Sequence, residues 1–196
     1  VPTAPGRRVG WPVKFTPLPL QGAFLVELEP FTDHRGHFLR TFDAQALAAR
    51  SLDATVAQAA LSTNHRKGTL RGLHYQLPPA AETKMVQCWR GALFDVIVDL
   101  RAGSATFGRW WSTTLQAGDG RVVYAPAGFA HGFQALEDHT VGHYTMSAPY
   151  SPTQARGVRW DDPALAIPWP LPNPILSARD ATLPGVEDTP PVELSA

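Results

Sequence analysis

From Thr69 to Ser147 the chain is a succession of short apolar runs cut by turn residues. "TLRGLHYQ" ends at "LPPAAET", "KMVQCWR" at Gly91, "ALFDVIVDLR" at "AGSATFG", "RWWSTTLQ" at "AGDG" and "RVVYAP" at "AGFAHG". "HGFQALE" and "TVGHYTMS" follow. Runs of this length, rich in β-branched and aromatic residues and bounded by Gly, Pro and Asp, are strands and turns. Many short strands at near-even spacing make a sandwich or a barrel. The 19 prolines and 16 glycines agree with a chain of frequent turns. Earlier, "GAFLVELEP" reads as a strand. "DAQALAARS" is the one helical stretch, alanine-rich and with Asp43 placed to cap it. Within "FDVIVD", Phe94, Val96 and Val98 share one face, and Asp95, Ile97 and Asp99 the other. The second face is part polar, so it lines a cavity or meets water.

A chain of 196 residues is expected to fold as one domain. We place that domain at residues 1–170, with irregular chain over 1–14. A proline-rich tail over 171–196 is expected to be poorly ordered or to wrap the surface. Basic and acidic residues balance at 17 each. That balance leaves no broad charge to attract nucleic acid or an anionic membrane. No apolar run is long enough to span a bilayer, and no signal-peptide pattern opens the chain. The single cysteine, Cys88, cannot form an internal disulfide, and its strand-like surroundings suggest a buried, inert thiol. These features suit a cytoplasmic protein.

"GDGRVVYAPAGFAHGF" sets Gly120, Pro126, Gly128 and His131 in a spacing that resembles the second motif of the cupin superfamily, a double-stranded β-helix or jelly roll. The fold expected is therefore all-β and cupin-like, with one short helix near the N-terminus. The first motif of that superfamily carries an H-x-H pair that helps to hold a metal. Here the matching stretch is His74-Tyr75-Gln76. A transition-metal site needs three or four converging N or O ligands. His74 and His131 supply two, so no metal is expected, and polar residues would act directly as acid and base.

"FTDHRGHFLRTFD", "TLRGLHYQLPPAAETKMVQCWRG", "VVYAPAGFAHGFQAL" and "YSPTQARGVRWDDPALAIPWP", in that order, resemble the dTDP-4-dehydrorhamnose 3,5-epimerase family. The resemblance spans roughly Gly22 to Pro170. It implies a homodimer without a cofactor, acting on a nucleotide-linked 4-keto-6-deoxyhexose. The proton beside the ketone is removed and returned from the opposite face, at carbon 3, carbon 5 or both. On this resemblance His74 is the base, Asp162 the carboxylate that orients it, Lys84 the cation at the enolate oxygen, and Tyr144 the acid. Arg71 and Arg35 are expected at the diphosphate. Phe38, Gln58, Ser62 and Tyr150 are expected at the nucleoside, and His131 in or near the pocket. Adjacent Asp161 is the rival to Asp162. Strict alternation would put Arg71 and His74 on opposite faces of one strand, unless Gly72 marks a bulge or Arg71 reaches in from the rim.

The chain departs from the family pattern at two positions. Arg40 stands where a Glu is usual, and Ala60 where an Asn is usual. Both belong to the part that grips the nucleotide, so the nucleotide is dTDP or else GDP or CDP. The competing functions are a keto-sugar isomerase on the same scaffold, a non-catalytic sugar-binding cupin and a metal-dependent dioxygenase. A binding module has no need of a base, a cation and an acid suited to proton abstraction.

Overall fold

The computed structural model describes residues 12–194. Thirteen strands and one α-helix follow in chain order. They are β1 (Val13–Pro17), β2 (Phe24–Leu28), β3 (Phe31–Asp33), β4 (Gly36–Phe38), α1 (Ala44–Ala48), β5 (Gln58–Asn64), β6 (Leu70–Gln76), β7 (Lys84–Arg90), β8 (Ala92–Asp99), β9 (Trp110–Gln116), β10 (Arg121–Ala125), β11 (Phe129–Ala135), β12 (Thr140–Met146) and β13 (Ala155–Gly157). They build a six-stranded sheet in the order β1-β2-β10-β7-β12-β5 and a five-stranded sheet in the order β13-β6-β11-β8-β9. β3 and β4 form a separate hairpin. Strand pairing within the sheets is antiparallel. The all-β jelly roll expected from the sequence is the fold observed.

Period-two alternation sorts the apolar side chains into three layers. Inward-facing residues of both sheets meet in a core of Val86, Cys88, Leu93, Ile97, Leu115, Val123, Ala125, Phe129 and Phe133. The alternate residues of the six-stranded sheet, Val26, Met85, Val122 and Tyr124, face outward and are covered by Leu47 of α1 with Phe42 and Leu52. Asp43 caps α1 as expected: its carboxylate accepts the backbone N–H groups of Gln45 and Ala46 at 3.1 Å each. The outward face of the five-stranded sheet, with Leu73, Tyr75, Val96, Val98 and Ala130, packs against Val158, Leu165, Ile167 and Val192. Each such side chain, fully buried, contributes about 1.5–3 kcal/mol.

The proline-rich segment beyond residue 170 supplies part of that cover through Val192. It is fastened at its start, where Gln134 exchanges two hydrogen bonds with the backbone of Leu171 at 2.9 and 3.0 Å. Parallel bridges join Thr69 to Ile175 and Arg101 to Val192. Within this segment Val192 and Asp180 are buried, and Asp180 lines the cavity between the two sheets. At the other end, the irregular stretch expected over 1–14 falls mainly on residues 1–11, outside the described residues, and Val13 already begins β1. β5 was not expected as a strand. Its "QAALSTN" has modest β-propensity and is held by seven paired positions along β12. β8 is buried on both faces: Phe94, Val96 and Val98 lie under the C-terminal cover, while Asp95 and Ile97 point between the sheets.

Candidate active site

A cavity of about 370 Å³ opens between the two sheets. Its polar lining starts on β6. In the pairing of β6 with β11, His74 lies opposite His131 and Arg71 opposite Phe133, so Gly72 and Leu73 together face only Gly132. This bulge cancels the alternation that would separate Arg71 from His74, and both side chains line the cavity. Gly72 is required here. It sits at φ +125°, and a Cβ would come within 2.5 Å of the Gly132 Cα.

His74 meets a carboxylate, and it is that of Asp180. The Nε2 to Oδ1 distance is 2.6 Å, and the Asp180 side chain is 5% exposed. Asp180 opens a 3₁₀ turn (Asp180–Thr182) in the C-terminal segment. Its backbone N–H donates to Ser177 Oγ at 3.0 Å. Burial alone would raise the Asp180 pKa. The hydrogen bond and charge of His74, with the Gly72 amide and Ser177, outweigh burial and hold the carboxyl below its usual value. With Nε2–H donating to Asp180, Nδ1 is the ring nitrogen left to accept a proton.

The expectation for Asp162 is thereby corrected. Its carboxylate is used up by the backbone: Oδ1 accepts from Ala164 and Leu165 at 2.8 and 3.2 Å, and Oδ2 from Val186 at 2.8 Å. It is a buried turn hub on the outer side of the five-stranded sheet, and it does not line the cavity that His74 faces. Its rival Asp161 pairs instead with Arg159 at 2.7 Å.

Lys84 and Tyr144 reach the same cavity from the facing sheet, on β7 and β12. The Lys84 ammonium contacts Glu82 at 2.9 Å and donates to the His74 carbonyl at 3.1 Å. His131 lines the cavity as expected. Its Nε2–H meets Asp95 Oδ1 at 2.7 Å, while Asp95 Oδ2 is buried without a hydrogen-bond partner among the described residues. Gln58 and Tyr150 also line it, and the Tyr150 N–H donates to Gln58 Oε1 at 2.8 Å. Ser62 is buried on β5, and its hydroxyl, which lacks a hydrogen-bond partner among the described residues, does not reach the lining.

Arg35 and Phe38 stand apart. They lie on the β3–β4 hairpin, where Arg35 is paired with Asp33 at 2.5 Å and Phe38 is 58% exposed; neither lines this cavity. Arg40 forms an ion pair with Asp43, the α1 cap, at 2.7 Å. Ala60 pairs with Tyr144 across β5 and β12.

The cavity also holds two cations that the sequence analysis passed over, Arg156 and Arg179. Arg71 donates from Nε to Asn64 at 2.9 Å, and Arg156 to backbone carbonyls of Thr153 and Ala155. The carboxylates of the lining are engaged elsewhere, Glu82 with Lys84 and Asp180 with His74. The three guanidinium groups thus leave an electropositive mouth suited to an anion. For Arg179 and Asp180 the only sequence signal was a charged pair within an otherwise aperiodic tail.

An imidazole backed by a buried carboxylate, facing a phenol and an ammonium across the cavity, is suited to moving a proton at carbon. The class is an isomerase, and within it an epimerase. The chain belongs to the dTDP-4-dehydrorhamnose 3,5-epimerase family, whose model matches residues 17–188. A relative from Sinorhizobium fredii, named dTDP-4-dehydrorhamnose 3,5-epimerase, is 42% identical over 177 residues, 90% of this chain and 91% of the relative. One from Streptomyces niveus, named dTDP-4-dehydrorhamnose 3-epimerase, is 41% identical over 169 residues, 86% of this chain and 81% of the relative. The crystal structure of the Legionella pneumophila epimerase in complex with dTDP-4-keto-L-rhamnose superposes with a TM-score of 0.87 at 31% identity, covering 94% of this chain and 100% of that one.

Proposed function

We propose that this chain epimerises a dTDP-linked 4-keto-6-deoxyhexose at the carbons that flank the ketone. The observation that carries the reading is the placement of base and acid on facing sheets: His74 with Asp180 on one side of the cavity, Tyr144 on the other. In this mechanism His74 Nδ1 removes the proton beside the ketone. Negative charge then develops on the ketone oxygen, where a Lys84 N–H receives it. Asp180 stabilises the imidazolium. The Tyr144 phenol returns a proton to the carbon from the opposite face, and this return inverts the centre. Arg71, Arg156 and Arg179 take the diphosphate, while Gln58 and Tyr150 flank the nucleoside. No cofactor takes part.

Two features bear on the nucleotide. The Arg40 charge is met by Asp43, so the departure from Glu does not by itself reverse the charge of the cavity. The Legionella structure names a dTDP sugar as its ligand. The second of these favours dTDP over GDP or CDP.

A role for Arg35 and Phe38 at the ligand requires a second copy whose hairpin reaches this cavity. We therefore propose a homodimer. Its support is the apolar side chains left on the surface, with Leu61 58% and Trp89 47% exposed, both beside His143 on the outer face of the six-stranded sheet. Mixing a His74→Asn chain with a Phe38→Ala chain would then restore activity in the hybrid; a monomer in solution would remove this part of the reading. Action in the cytoplasm is proposed on the lone thiol; no helix among the described residues is long and apolar enough to cross a membrane.

The test is proton exchange. The protein is incubated with dTDP-4-keto-6-deoxyglucose in deuterated water, and carbons 3 and 5 are followed by NMR. Deuterium at both carbons with inversion makes it a 3,5-epimerase, and at one carbon a single-centre epimerase. Absence of exchange by folded protein with dTDP-, GDP- and CDP-linked sugars overturns the reading.

A further inference from the structure

We propose that Glu82 is a positioning residue for the epimerisation step: it holds the Lys84 ammonium at the ketone and away from the diphosphate. This rests on the function proposed above. The problem that Glu82 solves is visible in the lining. Lys84 is a point charge on a flexible four-carbon stem, in a cavity that also opens on Arg71, Arg156 and Arg179. A diphosphate bound among those guanidinium groups would attract the ammonium too. A lysine drawn to the phosphate is absent from the enolate oxygen, where its charge accelerates the reaction.

The geometry fixes the lysine instead. Glu82 Oε1 lies 2.9 Å from Nζ, and both side chains are largely buried, 13% exposed for Lys84 and 9% for Glu82. A second ammonium proton is spent on the His74 carbonyl at 3.1 Å, on the strand that carries the base. An ammonium has three protons, so one remains for the ligand, at a point set by the other two. Glu82 is itself held. Its Oε2 accepts from Gln76 Nε2, and Gln76 Nε2 also reaches the Ala80 carbonyl at 2.8 Å. The same glutamine accepts the Ser151 N–H at 2.6 Å, so its amide is oriented from both ends. Base, cation and carboxylate are thus tied into one unit at the junction of β6 and β7.

The carboxylate weakens the field of Lys84 before reaction, and this separates orientation from attraction. Replacing Glu82 by Gln leaves the local net charge more positive. If Lys84 served only to attract the anionic ligand, the change would help. If its position matters, the change harms turnover alone.

The experiment uses the full chain with dTDP-4-keto-6-deoxyglucose as substrate and dTDP as the binding probe. Glu82→Gln, Lys84→Met and the double variant are compared with wild type in kcat, KM and dTDP affinity. The expected result is a fall in kcat of at least about 10-fold for Glu82→Gln, with KM and dTDP affinity within about 3-fold of wild type. In the Lys84→Met background the same change has no further effect on kcat, because the two residues act as one. The inference is overturned if kcat is unchanged, if dTDP affinity falls as far as kcat, or if the losses simply multiply in the double variant. Circular dichroism and the melting temperature check that each variant is folded. Should Glu82→Gln not fold, Glu82→Asp, which keeps the charge but draws the carboxylate back from Nζ, tests the same positioning, with kcat again expected to fall and dTDP affinity to hold. Exchange by the wild type is measured first, so its absence would sink the function and not this role.

Discussion

At the scale of single residues, two aspartates sort themselves by what their oxygens touch. Asp180 meets the imidazole of His74, while Asp162 meets three backbone amides. Asp180→Asn should lower kcat by about 100-fold or more, because an amide cannot balance an imidazolium and favours the wrong tautomer. Its dTDP affinity should barely change, which isothermal titration would check. Asp162→Ala should do the reverse: a loss of about 3 kcal/mol in urea unfolding, with kcat of the folded fraction near wild type. His74, Lys84 and Tyr144 were legible because each sits in a string with neighbours on both sides that match a known pattern. The partner of His74 was not. It lies 106 residues away, in a segment with no strand or helix period. Nothing in local spacing says which of several aspartates will close that distance, and "WDDP" offered two nearer to the recognisable motif.

At the scale of elements, β6 decides the site. Its bulge turns Arg71 and His74 to one side, and that bulge rests on a glycine at positive φ pressed against Gly132. Gly72→Ala should therefore cost both fold and function. We expect little soluble protein, and a melting temperature lowered by several degrees in what is recovered, since the new methyl meets backbone and not a side chain that could turn away. The sequence pointed to this glycine as a possible kink but left open whether Arg71 entered by a bulge or from the rim. β-strands with strong composition, such as β8, were legible as strands. β5 was not, because its small and polar residues become a strand only by pairing with β12, a tertiary effect that outweighs propensity. The C-terminal segment was legible in composition but not in use. Its Val192 joins Leu165 and Ile167, which precede it in the chain, in covering the outward face of the five-stranded sheet.

At the scale of the whole molecule, buried carboxylates make stability depend on pH. Asp99 is fully buried and accepts from Arg101, Ser104 and Thr106; burial opposes its ionisation, but these bonds prevail and its pKa is lowered, as is that of Asp180. A carboxyl whose folded pKa lies below its unfolded value stabilises the fold above the unfolded value, near pH 4. That contribution fades as pH falls through the folded pKa. Urea midpoints should therefore be flat through neutral pH and drop below about pH 4. Asp99→Asn should remove part of that drop while lowering stability at pH 7 by about 3 kcal/mol. The sheet order carries a further consequence, for the time the chain takes to reach this state. β2 must find β10, β5 must find β12 and β6 must find β13, each across most of a sheet-forming domain. Loops of that size close before their contacts reward them, which places folding in the millisecond-to-second regime of all-β topologies. The base on β6, the acid on β12 and the carboxylate beyond β13 come together only when those distant pairings are complete. During refolding from denaturant, proton exchange on the sugar should be the last signal to return, after tryptophan fluorescence has already levelled off.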